Sequence, residues 1–106
     1  MNEKELEAEI IAKNLTAPRI TPAHVEDTIL AEQYYVFPGT MVTVCCLTLR
    51  NGFNTIGESA CASPENFNEE IGRKLARDQA KNKIWALEGY LLKDRLSKAC
   101  PDNFAV

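Results

Sequence analysis

A chain of 106 residues with a hydrophobic fraction of 45% is sized and composed for one folded domain. Its net charge of -3 lacks the basic excess of a dedicated nucleic-acid binder, and no apolar run reaches the ~20 residues that a membrane span needs. Four cysteines without a Cys-x-x-Cys pair, beside a single histidine, give no zinc-ligand pattern.

The start, Met1-Asn2-Glu3-Lys4-Glu5, is acidic and polar and lacks the pattern of a secretory leader. A cytoplasmic setting follows as the expectation, with the cysteines as small reduced thiols. Leu6, Ile10 and Ile11 recur at helical spacing and predict a first helix over 3–13, with an apolar stripe narrow enough to suit docking. Ala17-Pro18-Arg19 breaks it. Thr21 and Pro22 then open a short second helix as cap and first residue, with Val25, Ile29 and Leu30 facing inward.

Aromatic and β-branched residues predict a strand over 33–37, ended by a Pro38-Gly39 turn. Strands over 42–50 and 53–60 follow around Asn51-Gly52, the dipeptide of a two-residue type I′ hairpin. That turn sets Arg50 opposite Phe53, Leu47 opposite Ile56 and Cys45 opposite Glu58. The expected core face is then Cys45, Leu47, Leu49, Ile56 and Ala60, with Val44, Cys46, Thr48, Thr55, Gly57 and Ser59 on a semi-polar second face.

Ser63 and Pro64 predict the start of a long helix running to about residue 98. Phe67, Ile71 and Leu75 form one column on it. Gly72, Ala76 and Ala80, continued by Ile84, form a small-residue column suited to close approach. Gly89 marks a possible bend, and 99–106 reads as a tail.

Catalytic signals are sparse, and no catalytic residue is assigned. His24 has no nucleophile motif near it, and an exposed imidazole is its plain reading. Glu58 falls mid-strand on the expected core face, either as a buried carboxylate or as one near the hairpin edge that reaches solvent or pairs with a helix lysine. The five glycines lack phosphate-loop spacing. No metal site and no cofactor are expected. The richest feature is a basic stretch in which Arg73, Arg77 and Lys81 stand at four-residue spacing on one helix face. Arginines grip phosphates with paired hydrogen bonds, and Tyr34, Tyr35 or Trp85 would stack on bases. The plainer reading is a solvated face tied by Glu69–Arg73 and Glu70–Lys74.

The runs Tyr34-Tyr35-Val36-Phe37-Pro38-Gly39-Thr40, Leu47-Thr48-Leu49-Arg50-Asn51-Gly52-Phe53 and Gly57-Glu58-Ser59-Ala60-Cys61 resemble a family of small tailed-phage proteins. So do Ser63-Pro64-Glu65-Asn66-Phe67, Gly72-Arg73-Lys74-Leu75-Ala76-Arg77 and Leu87-Glu88-Gly89-Tyr90-Leu91-Leu92. The family is that of phage gene products forty-nine and sixty-six, and the resemblance covers roughly residues 20 to 96. It implies a phage accessory protein in the host cytoplasm and brings no catalytic residues. In architecture and size the chain is also similar to phage nucleotide sponges that blunt bacterial defence, with Arg77, Ala80, Lys83, Trp85 and Leu87 loosely like their helix pattern.

The expected fold is α+β: a three-stranded antiparallel meander packed against a long C-terminal helix, with short N-terminal helices. Residues 1–106 form a single domain, divided into an N-terminal helical arm (1–19), the α+β core (20–98) and the tail (99–106). So small a core predicts a homo-oligomer. The expected function is non-enzymatic: binding and sequestering a small anionic nucleotide signal between subunits, through Arg73, Arg77, Lys81, Tyr34, Tyr35 and Trp85. Nucleic acid and membrane are not expected partners. The alternative is a protein that docks on and inhibits a host enzyme or defence complex. An enzyme using Glu58 and His24 ranks last.

Overall fold

The computed structural model describes residues 2–13 and 17–99. The tail expected over 99–106 lies outside them apart from Ala99, and so does Cys100. In chain order the elements are α1 (Glu3–Ala12), α2 (Pro22–Thr28), β1 (Ile29–Val36), β2 (Val42–Leu49), β3 (Asn54–Ala60), a 3-10 turn (Pro64–Asn66) and α3 (Glu69–Ala99). The strands form one antiparallel sheet in the order β1-β2-β3, and α3 packs across one face of it. This is the α+β meander expected from the sequence.

Local chemistry explains most boundaries. Asn2 caps α1, its Oδ1 accepting from Glu5 N at 2.8 Å. Thr21 Oγ1 accepts from His24 N at 3.1 Å, with Pro22 in the first turn of α2. The second helix is shorter than expected. Ile29 already belongs to β1, and Leu30 is exposed at an irregularity in the β1–β2 register between Ile29 and Ala31. The first strand therefore starts four residues earlier than the 33–37 expected from the sequence. Ser63 caps no α-helix: the Pro64–Asn66 turn intervenes, and Asn68 Oδ1 takes Ile71 N at 3.1 Å at the true start of α3. The helix then runs unbroken through Gly89.

The hairpin register differs from the expected one by a single residue. Cys45 pairs with Gly57, Leu47 with Thr55 and Thr48 with Asn54. Leu49 N donates to Phe53 O at 2.8 Å, so Arg50, Asn51 and Gly52 together form a three-residue loop. Gly52 holds φ +89, the left-handed residue that closes such a loop. Side chains alternate along a strand, so one step of register turns β3 over. Thr55 and Gly57 face the helix, whereas Ile56, Glu58 and Ala60 are exposed with the opposite face.

The core lies between α3 and the helix-facing side of the sheet. Cys45, Leu47 and Leu49 of β2 meet Ala76, Ala80 and Ile84 of α3, with Val25 of α2 closing one end. The approach is close because glycine allows it. A Cβ placed on Gly57 would lie 2.1 Å from Ala76 O and 2.4 Å from Ala80 N. Cys45 and Cys46 fall on opposite faces, as alternation demands, and burial raises the Cys45 thiol above its ordinary range. Ile71 and Leu75 of the other apolar column stay exposed. Every buried residue of α3 lies at or before Ile84.

Candidate functional site

The cations of the basic column are engaged by carboxylates of the same chain. Arg77 Nε donates to Glu32 Oε2 at 2.8 Å, and its two terminal nitrogens reach Glu26 at 2.9 and 3.2 Å. Three elements, α2, β1 and α3, thus meet on one guanidinium. The hydrogen bonds from Arg77 hold both carboxyls below their ordinary range, and the carboxylates push the guanidinium further up. Lys81 Nζ lies 3.3 Å from Glu3 and 3.7 Å from Glu26. Arg73 sits 3.6 Å from Glu69 and Lys74 3.5 Å from Glu70, the two expected i, i+4 pairs.

The aromatic candidates separate. Tyr34 faces the helix side, where burial and its donated bond to Glu32 Oε1 (3.0 Å) push its phenol upward. Tyr35 lies on the opposite face against Phe37, ring centroids 4.9 Å apart and edge-on. Trp85 packs beside the core and donates from Nε1 to Glu3 Oε1 at 3.1 Å. Arg73, Arg77, Lys81 and Trp85 therefore share α3, Tyr34 lies close by through Glu32, and Tyr35 is held apart by the sheet. His24 and Glu58 do not meet: His24 Nε2 bonds Glu88 Oε2 at 2.9 Å, and the Glu58 side chain points from the uncovered face.

The two sheet edges are unlike. Gln79 Oε1 accepts from the Glu58 backbone N–H at 2.7 Å, and Lys83 Nζ donates to Ile56 O at 2.5 Å. Both backbone groups point away from β2, so α3 side chains engage two groups on the outer edge of β3. Among the described residues nothing does this for β1. Phe37 N donates to Val42 O at 3.3 Å, which fixes the alternation of bonded pairs. Glu32, Tyr34 and Val36 accordingly turn their N–H and C=O outward. Among the described residues these backbone groups have no partner. The neighbouring sheet face is also bare, with Tyr35, Phe37 and Ile56 each about half exposed.

The β1 edge was not foreseen. A signal for it existed in Lys83 and Gln79, whose helical spacing puts them on the β3 flank of α3, but which backbone groups they would satisfy depends on the register. Among the described residues no cluster of histidine, cysteine or carboxylate side chains is arranged to hold a metal ion, and no helix is long and apolar enough to cross a membrane.

A family model described as the phage protein (N4 Gp49/phage Sf6 gene 66) family matches residues 20–96. No curated protein and no solved structure matches the chain.

Proposed function

Because the chain belongs to the N4 Gp49/phage Sf6 gene 66 family of phage proteins, we propose that it is a non-enzymatic phage accessory protein that acts in the host cytoplasm by binding and inhibiting a host protein. The observation that carries the proposal is the asymmetry of the sheet: Gln79 and Lys83 occupy the middle of the outer β3 edge, while β1 presents backbone groups without a partner among the described residues. An open edge accepts an extended segment of another chain as a fourth strand, with main-chain bonds giving affinity. Tyr35 and Phe37 beside it would add apolar contact. The occupant proposed is a strand-forming segment of a host enzyme or defence complex.

The test is a pull-down from host lysate with two forms of the chain. Val36→Pro removes an N–H that points outward, leaves the β1–β2 ladder complete, and suits an edge position. The parent chain is expected to recover one stoichiometric partner, which Val36→Pro retains at least roughly tenfold less well, a loss of about 1.4 kcal/mol. Equal capture by both forms would refute edge binding.

A second reading, sequestration of a nucleotide immune signal by a homo-oligomer, asks Arg77 and Lys81 to exchange carboxylates for phosphates. It has one observation in its favour: Lys81 and Trp85 are bonded to Glu3 of α1, a helix with no buried residue. Calorimetric titration with cyclic di- and trinucleotides, on the chain with and without residues 1–13, decides it. Heat appearing on removal of the arm would favour the sponge; silence from both forms would leave it without support.

A further inference from the structure

A cleft of about 560 Å³ opens between the β2–β3 hairpin tip and the outer half of α3, beyond Ile84. Its walls include Leu49, Phe53, Leu87, Tyr90 and Leu91. Four of these are among the exposed large hydrophobic residues, from 37% for Leu87 to 76% for Tyr90. Here four exposed apolar side chains line one concave surface instead of standing singly. The volume lies within the ~300–1,000 Å³ typical of small-molecule sites.

The charge at the mouth is specific. Arg50 stands at the hairpin tip, with its backbone N–H donating to Thr28 O at 3.1 Å. Its guanidinium, like that of Arg95 farther along α3, has no partner among the described residues, whereas Arg19, Arg73 and Arg77 each hold a carboxylate. Glu88 is the one acid on the wall, and His24 Nε2 already occupies its carboxylate. Asn51 Oδ1 is taken by Phe53 N at 2.9 Å, which leaves its amide N–H groups for a ligand. An open apolar cleft with one unpaired guanidinium at its mouth complements an anion, and two exposed rings complement a flat aromatic body.

We propose that this cleft binds a small anion with a flat aromatic body, the anion on Arg50 and the ring between Phe53 and Tyr90. The site shares no group with the β1 edge, so either reading can fail alone. A free nucleotide and an aromatic acid share this chemistry, and the experiment separates them.

The probe is the fluorescent anion anilinonaphthalene sulfonate, with uncharged phenylnaphthylamine as its control. The sulfonate is expected to bind one saturable site. Arg50→Gln, an exposed loop substitution checked for folding by circular dichroism, should weaken it roughly tenfold and leave the neutral probe unchanged. Leu91→Trp, which fills the cleft, should remove both. Displacement by adenosine monophosphate points to a nucleotide, and displacement by naphthoate but not by the nucleotide points to an aromatic acid; either supports the class. The proposal is overturned if no site saturates, if Arg50→Gln binds the sulfonate as tightly as the parent, or if only dodecanoate displaces the probe. A concentration-dependent dimer that excludes the probe overturns it as well, because the cleft would then be a contact between copies.

Discussion

Gly57 is the residue on which the register turns. With a two-residue loop it would face away from the helix and Ile56 would be buried; in the structure Ile56 is 51% exposed and Gly57 is buried against α3. The Asn-Gly signature correctly marked a glycine of positive φ, but it could not say whether Arg50 belonged to the strand or the loop. The deciding demand is non-local. The small-residue column of α3 comes so close that only a residue without Cβ fits beneath Ala76 and Ala80. A glycine in the middle of a strand is the sign of such an approach, and read that way it would have chosen the right register. Gly57→Ala is expected to destabilise the fold by about 3 kcal/mol, because both clashing atoms are backbone. A urea midpoint measured against the parent, with Gly89→Ala as a control where nothing lies within 4 Å, checks this.

At the scale of elements, the contacts legible in the sequence were local and those that organise the molecule were not. Glu69–Arg73 and Glu70–Lys74 follow from helical spacing. Arg77 with Glu26 and Glu32 joins residues more than forty positions apart, so the column read as a phosphate grip because its partners were out of sight. The pairing has a pH signature. Arg77 depresses both carboxyls below 4.5, so their contribution to stability is complete above that value and lost as pH falls through the lower folded values. The thermal midpoint should therefore decline on acidification below about pH 4.5, and Arg77→Met should flatten that decline. The first helix is a different kind of element. It buries no residue and is tied by Glu3 to Lys81 and Trp85, and by Glu7 to Arg19 at 2.6 Å. Exposed ties of this kind contribute about 1 kcal/mol or less each. Removing residues 1–13 should leave cooperative unfolding intact and shift the emission of Trp85, the single tryptophan, to the red.

For the whole molecule, composition and periodicity were enough to see an α+β fold with a meander and a long helix. They could not reveal its surfaces, because an edge or a cleft is a relation between elements. The closed β3 edge has a consequence for assembly. A sheet with two free edges is a monomer in the polymer chemist's sense: it can add copies at both ends and grow into a fibre. With two groups of the β3 edge already engaged, this sheet is expected to have a valence of one. On the proposed reading Gln79 and Lys83 would act as a chain terminator, and pairing through β1 is expected to end at a single added strand, whether from a host protein or a second copy. Sedimentation velocity over a wide concentration range should resolve nothing larger than a dimer. Changing Gln79 and Lys83 together to alanine should raise the valence to two and let longer species appear.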